Sequence, residues 1–312
     1  MRPNRSIAKI IVIAGLFLLT GAADRCEGQG AGVPVYARPV AAENALRATA
    51  EKMRVAGKVT GDSILTNQLS RTSCDLKLSA ANTARLSSRE LWAAARTAHL
   101  RVGWYYLCSK CGERHLNLAA GYAITGDGVV ATCYHVAAPL DTMRNGFLVV
   151  ADEDDNLFPV TEILAANRAK DVCLLRVAGG NFKPLPLQTE IFPGDRCVCF
   201  SDPLGERGYF SEGIVSRFLS PRAGRSGTNN SSATRAPREP VTRLDVTTDW
   251  APGSSGAAVL DEFGNAIGHV TSIATLGEHD SEKGRGAGQN PTLITIHEAV
   301  SAKDVLSLIH KE

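Results

Sequence analysis

Asp249-Trp250-Ala251-Pro252-Gly253-Ser254-Ser255-Gly256-Ala257-Ala258-Val259-Leu260 reads as a Gly-x-Ser-Gly turn with a proline before it and an apolar strand after it. Pro252 stiffens the turn, and Gly253 allows backbone conformations that a Cβ forbids. A loop of this kind can aim the backbone N–H groups of Gly253 and Ser255 into one cavity beside the Ser255 hydroxyl. Such a loop supplies a nucleophile and a preformed site for the oxyanion it generates, as acyl transfer requires. Short Gly-Ser turns also join strands with no chemistry attached, so the reading depends on a base and an orienting acid elsewhere.

Both are present upstream. The segment Ala120 to Val136 reads as a hairpin: an apolar strand, a Gly126-Asp127-Gly128 turn, and a second apolar strand ending on His135. Asp171 then stands just before the apolar run Val172-Cys173-Leu174-Leu175. Asp152, Asp154 and Asp155 lie in an acidic turn with no such strand behind them, and are set aside. Taken in order, Thr132 to Val136, Asp171 to Leu175 and Pro252 to Ala257 resemble the three signatures of a trypsin-fold serine protease, nearest to the bacterial HtrA/DegP-like branch.

That resemblance implies an all-β fold of two six-stranded antiparallel barrels with the active site between them. It implies His135 as general base, Asp171 as the group that fixes its tautomer, and Ser255 as nucleophile, with Gly253 and Ser255 N–H as oxyanion hole. Thr271, Ser272 and Ile273 fall where the family adds an extended peptide substrate as an extra strand. Asp249 admits two readings. Six residues before the serine is where trypsin places the carboxylate of its primary specificity pocket. On the HtrA alignment, Thr248-Asp249 is instead a structural pair, and Trp250 or Ala251 lines the pocket. Ser201-Asp202 stands where the family more often has glycine, and Ala257-Ala258 where it has Gly-Pro. After a helix from about Ala302 to Ile309 no segment remains for a PDZ module.

The 312 residues are 44% hydrophobic with a formal charge of +2, enough for a two-lobed domain and extras, and nothing in that balance points to nucleic acid. Arg2, Arg5 and Lys9, the apolar run Ile10 to Leu19 and Thr20-Gly21-Ala22-Ala23 read as a signal peptide over 1–23. The run is short for a bilayer span, so a secreted or periplasmic protein without stable membrane insertion is expected, rather than an anchored one. Residues 24–86 are weakly patterned, with a helix over Ala42 to Val55, and read as a partly disordered or pro-segment-like extension. Ser87-Ser88-Arg89-Glu90 resembles a capping box opening the helix Leu91 to Ala98, and the protease domain is expected over 87–312. Pro221 to Pro240 reads as a flexible Arg-bearing surface loop.

The chain has eight cysteines, all after the leader. Cys133, Cys173, Cys197 and Cys199 lie in strand patterns and read as small buried hydrophobes. Cys108-x-x-Cys111-Gly112 with His115 is different: it carries half of a zinc-knuckle spacing plus a third ligand, in the hairpin of the first barrel. A local disulfide, free thiols and zinc are its three readings, and no other cofactor is implied. The function expected is a serine endopeptidase acting on polypeptides. An inactive protease-fold binding protein, an esterase using the same triad and a zinc-stapled interaction module are the alternatives. Nothing in the residues specifies an oligomeric state.

Overall fold

The computed structural model describes Tyr36 and residues 40–220, 241–277 and 292–310; the expected leader and the loop 221–240 lie outside them. The chain divides into units 1–37 and 38–312, and the second carries everything that follows.

Helices α1 (Val40–Val55) and α2 (Asp62–Gln68) and the short strand β1 (Cys74–Asp75) come first, then α3 (Ser88–Ala98). The first barrel contains β2 (His99–Cys108), β3 (Arg114–Ala123), β4 (Val129–Thr132), β5 (Met143–Ala151), β6 (Leu157–Asn167) and β7 (Val172–Val177). A one-turn helix, α4 (Tyr134–Ala137), follows β4. The second barrel contains β8 (Arg196–Ser201), β9 (Tyr209–Leu219), β10 (Arg243–Val246), β11 (Ala258–Asp261), β12 (Ala266–Gly277) and β13 (Thr292–Ser301). The chain then runs through α5 (Ala302–Leu306) to β14 (Ile309–His310). Both barrels close, in the orders β2-β3-β4-β7-β6-β5 and β10-β13-β12-β11-β8-β9, with antiparallel pairing throughout. This is the two-barrel all-β architecture expected.

Barrel closure follows from period-two burial. On β2, Leu100, Val102, Trp104 and Tyr106 point into the first core with Val130, Leu148, Ile163 and Leu175. Val215, Leu244, Val259 and Ile267 fill the second. Yet β2 is buried on its other face too, because α1 lies across Tyr105, Phe147 and Val149 with Ala50 and Met53. Leu46, Ala50 and Met53 repeat at helical spacing and supply that face.

The stretch 40–86 therefore differs from the expectation of a partly disordered extension. Beyond α1, Leu65 of α2 is fully buried in the first core, with Leu69 packed beside it. Gln68 Oε1 accepts the Ile163 backbone N–H at 2.7 Å, and β1 pairs in parallel with β14, Cys74 opposite Ile309. The helix expected over 91–98 starts at Ser88 with the capping box formed: Ser87 accepts from Glu90 N–H and donates to the Glu90 carboxylate. The C-terminal helix stops at Leu306, short of Ile309, which joins β14 instead.

Candidate active site

The strand expected to end on His135 ends at Thr132, and His135 sits on the one-turn helix α4. That turn lifts the imidazole off the barrel rim, with its side chain about half exposed at 51%. Asp171 opens β7 with a left-handed backbone, φ 57°, which costs a non-glycine residue energy and occurs mostly where structure enforces it. Its carboxylate meets His135 Nδ1 at 2.9 and 3.1 Å and accepts the His135 backbone N–H at 3.1 Å. The Thr271 hydroxyl donates to Asp171 Oδ2 at 2.5 Å, and buried His269 Nε2 lies 3.2 Å from the Asp171 carbonyl oxygen. Thr271, expected against substrate, thus holds the acid. His269 stands beneath it. Neither contact is marked locally in the sequence, since each spans about a hundred residues.

Ser255 and His135 open on one cleft, walled by Trp104, Asn117, Leu118 and Leu140. Two hydrogen bonds hold the serine loop between the barrels: Ala120 N–H to the Ser255 carbonyl and Gly256 N–H to the Val270 carbonyl, both 2.8 Å. Gly253 has φ 102° and Gly256 φ 91°, conformations suited to glycine. Among the described residues, the backbone N–H groups of Gly253 and Ser255 have no hydrogen-bond partner, while Ser254 N–H closes its own turn on Ala251. Both free donors belong to the residues expected to form an oxyanion hole. No hydrogen bond joins His135 to Ser255 among the described residues. Such bonds are often long in a ligand-free site.

Asp249 is exposed, and its backbone N–H and carbonyl both meet the Ser211 hydroxyl, at 3.2 and 3.0 Å. Of the two readings, exposure and these backbone contacts favour the structural pair over the pocket carboxylate. The neighbouring Trp250 is buried, donates Nε1–H to the Ser272 carbonyl at 3.2 Å, and packs edge-on against buried His297. Ser272 and Ile273 lie on β12 beside it, opposite Glu298 and His297. Cys133, Cys173, Cys197 and Cys199 are buried free thiols, as the strand pattern implied.

Burial favours a neutral Asp171, but the His135 imidazole, the Thr271 hydroxyl and the His135 N–H outweigh it and bring the carboxyl down to about 2. Buried Asp202 reaches about 2 as well: burial opposes the change, while His99, the Gly208 N–H and Arg101 drive it. Burial pushes the His269 imidazole down to about 4, against the pull of Asp171 and alongside Arg243 and His135. A depressed pKa stabilises the fold above the unfolded value, and that stability is lost as pH falls through the folded value. Acid should thus act in two stages, through His269 between about 6.5 and 4, then through Asp171 and Asp202 between about 4 and 2. The first stage is worth about 3 kcal/mol. Denaturant midpoints measured against pH should show it in the wild type and lose most of it in His269→Gln; equal slopes would exclude His269 as the cause.

Two closed barrels thus carry a His–Asp pair and a Gly-x-Ser-Gly loop on one cleft. Residues 119–268 match the family described as the trypsin-like peptidase domain. Serine protease PepD of Mycobacterium tuberculosis is 27% identical over 180 residues, which are 54% of this chain and 36% of that protein. Protease Do-like 1, chloroplastic, of Arabidopsis thaliana is 25% identical over 158 residues, 49% of this chain and 33% of that one. The chain thus spans about a third of the length of these relatives. Among solved structures, HtrA-type protease AlgW with decapeptide shares the fold at TM-score 0.50 and 19% identity, over 72% of this chain and 66% of that one. Over residues 119–268 the chain is thus similar to the trypsin-like peptidase domain, and the relatives named above are proteases.

Proposed function

We propose that the chain is a serine endopeptidase that cleaves polypeptides through an acyl-enzyme. The observation that carries this reading is the His135–Asp171 pair facing the same cleft as Ser255, whose loop leaves two N–H groups free. Ser255 Oγ attacks the scissile carbonyl while His135 Nε2 takes its proton. Asp171, ionised across the working pH range, holds Nδ1–H and stabilises the imidazolium. The Gly253 and Ser255 N–H groups receive the oxyanion, a contribution of about 3–4 kcal/mol per donor. His135 then returns the proton to the leaving amine, and water attacking by the reverse route frees the serine.

The substrate pairs as an added strand along Thr271 to Ile273, which directs the side chain on the acyl side of the scissile bond toward Trp250. With Trp250 and His297 already buried there, the site takes glycine or alanine and excludes long side chains. A peptide library should therefore show small residues preferred at that position. Trp250→Ala should raise kcat/KM for leucine relative to alanine by about tenfold or more. Preference of the wild type for Arg, Lys or bulky residues would overturn this assignment, whatever the variant's stability.

The basic, apolar and small-residue segments of 1–23 support export to the periplasm or beyond. Among the described residues no helix is long and apolar enough to cross a membrane. One observation favours a second reading, an inactive protease-fold protein that only binds peptides: the missing hydrogen bond between His135 and Ser255. Hydrolysis of an unfolded protein substrate, abolished by a fluorophosphonate, separates the two.

A further inference from the structure

The tip of the β2–β3 hairpin, apart from the cleft machinery, brings together Cys108, Cys111 and His115. Their ligand atoms all lie within 4.8 Å of one another, with Cys111 Sγ 3.1 Å from His115 Nε2. A tetrahedral zinc ion with sulfur at 2.3 Å and nitrogen at 2.0–2.1 Å needs ligand–ligand edges of about 3.5–3.8 Å. The cluster is already on that scale.

The backbone around it is shaped like a metal knuckle. Gly112, with φ 75° and open space around it, turns the chain so that Cys111 faces back across the hairpin. The turn is closed by Gly112 N–H to the Cys108 carbonyl and Cys108 N–H to the Glu113 carbonyl, both 2.9 Å. His115 stands opposite Tyr106 in the strand register, and their rings lie 5.7 Å apart, which orients the imidazole. Core packing does not account for this cysteine pair, because Cys111 is exposed and Cys108 only half-buried.

We propose that Cys108, Cys111 and His115 form a zinc site, with water as the fourth ligand. Binding releases the thiol protons to solvent and leaves two thiolates and a neutral imidazole on the metal. The ion pins the far end of a hairpin whose inner stretch, Gly103 and Trp104 with Asn117 to Ala119, walls the cleft.

The full-length chain, purified with reductant and without chelator, is titrated with cobalt(II) and then zinc. The expected result is one equivalent of cobalt with tetrahedral d–d bands and a thiolate charge-transfer band, displaced by one equivalent of zinc. Cys111→Ser and His115→Ala should each weaken cobalt binding by at least about tenfold, with circular dichroism unchanged, while Cys74→Ser should bind as wild type does. Absence of the thiolate band in reduced protein, or equal binding by Cys111→Ser and His115→Ala, would overturn the site. So would recovery of Cys108 and Cys111 as a disulfide that leaves no zinc affinity after reduction.

Discussion

Replacing Ser255 by alanine is expected to lower kcat on a polypeptide substrate by about a million-fold, and His135→Ala should cost about as much. The two should not add. Once either partner is gone, the other has nothing to activate or be activated by, so the double variant should match the singles. Neither replacement should unfold the protein, because the Ser255 hydroxyl has no hydrogen bond among the described residues and His135 is half exposed. Asp171→Asn should behave differently. It should lose about ten-thousandfold in kcat through the wrong imidazole tautomer, and stability as well, since Asp171 also ties Thr271 to the base of the site. A double variant slower than either single by the product of their effects would exclude a concerted unit.

The second large effect is expected at Gly256. A Cβ there would lie 2.1 Å from the Ala120 carbonyl oxygen and 2.5 Å from Thr132 Oγ1, on a backbone already at φ 91°. Neither neighbour can yield cheaply. The Thr132 hydroxyl donates to the Ala120 carbonyl at 2.7 Å, and Ala120 N–H holds the Ser255 carbonyl. These contacts tie the serine loop to the first barrel, while Gly256 N–H on Val270 ties it to the second. Gly256→Ala should therefore cost about 3 kcal/mol or more, lowering the melting temperature by roughly 6–12 °C. Activity should fall in the same variant even at temperatures where it stays folded, because the loop must shift to make room. A melting temperature within a degree of wild type, with full activity, would show that the loop is not fixed by this close approach.

The barrels and the His–Asp–Ser order are legible in the chain because their signals are local. Alternating apolar residues broken by Gly and Asp turns mark strands, and Pro252-Gly253 marks a loop that only special backbone angles allow. What the sequence hides is tertiary. In 59–78 only Leu65 and Leu69 anchor a short helix, and two apolar residues set no readable period. Tyr105, Phe147 and Val149 look like outward positions of an ordinary strand pair until α1 covers them. Asp249 has the trypsin spacing, and only its exposure, with Trp250 turned inward instead, separates pocket from surface. His269 and Thr271 read as strand residues, because a contact across a hundred positions leaves no mark beside either residue.

Catalysis in this site requires Ser255 to be a nucleophile activated by His135, and covalent labelling reads that directly. Folded protein is treated with a fluorophosphonate, and the modified residue is located by peptide mass mapping. Stoichiometric modification at Ser255, lost on denaturation and in His135→Ala, is the result predicted. A folded wild-type chain that stays unmodified, or one labelled as fully when Ser255 is replaced by alanine, would contradict it.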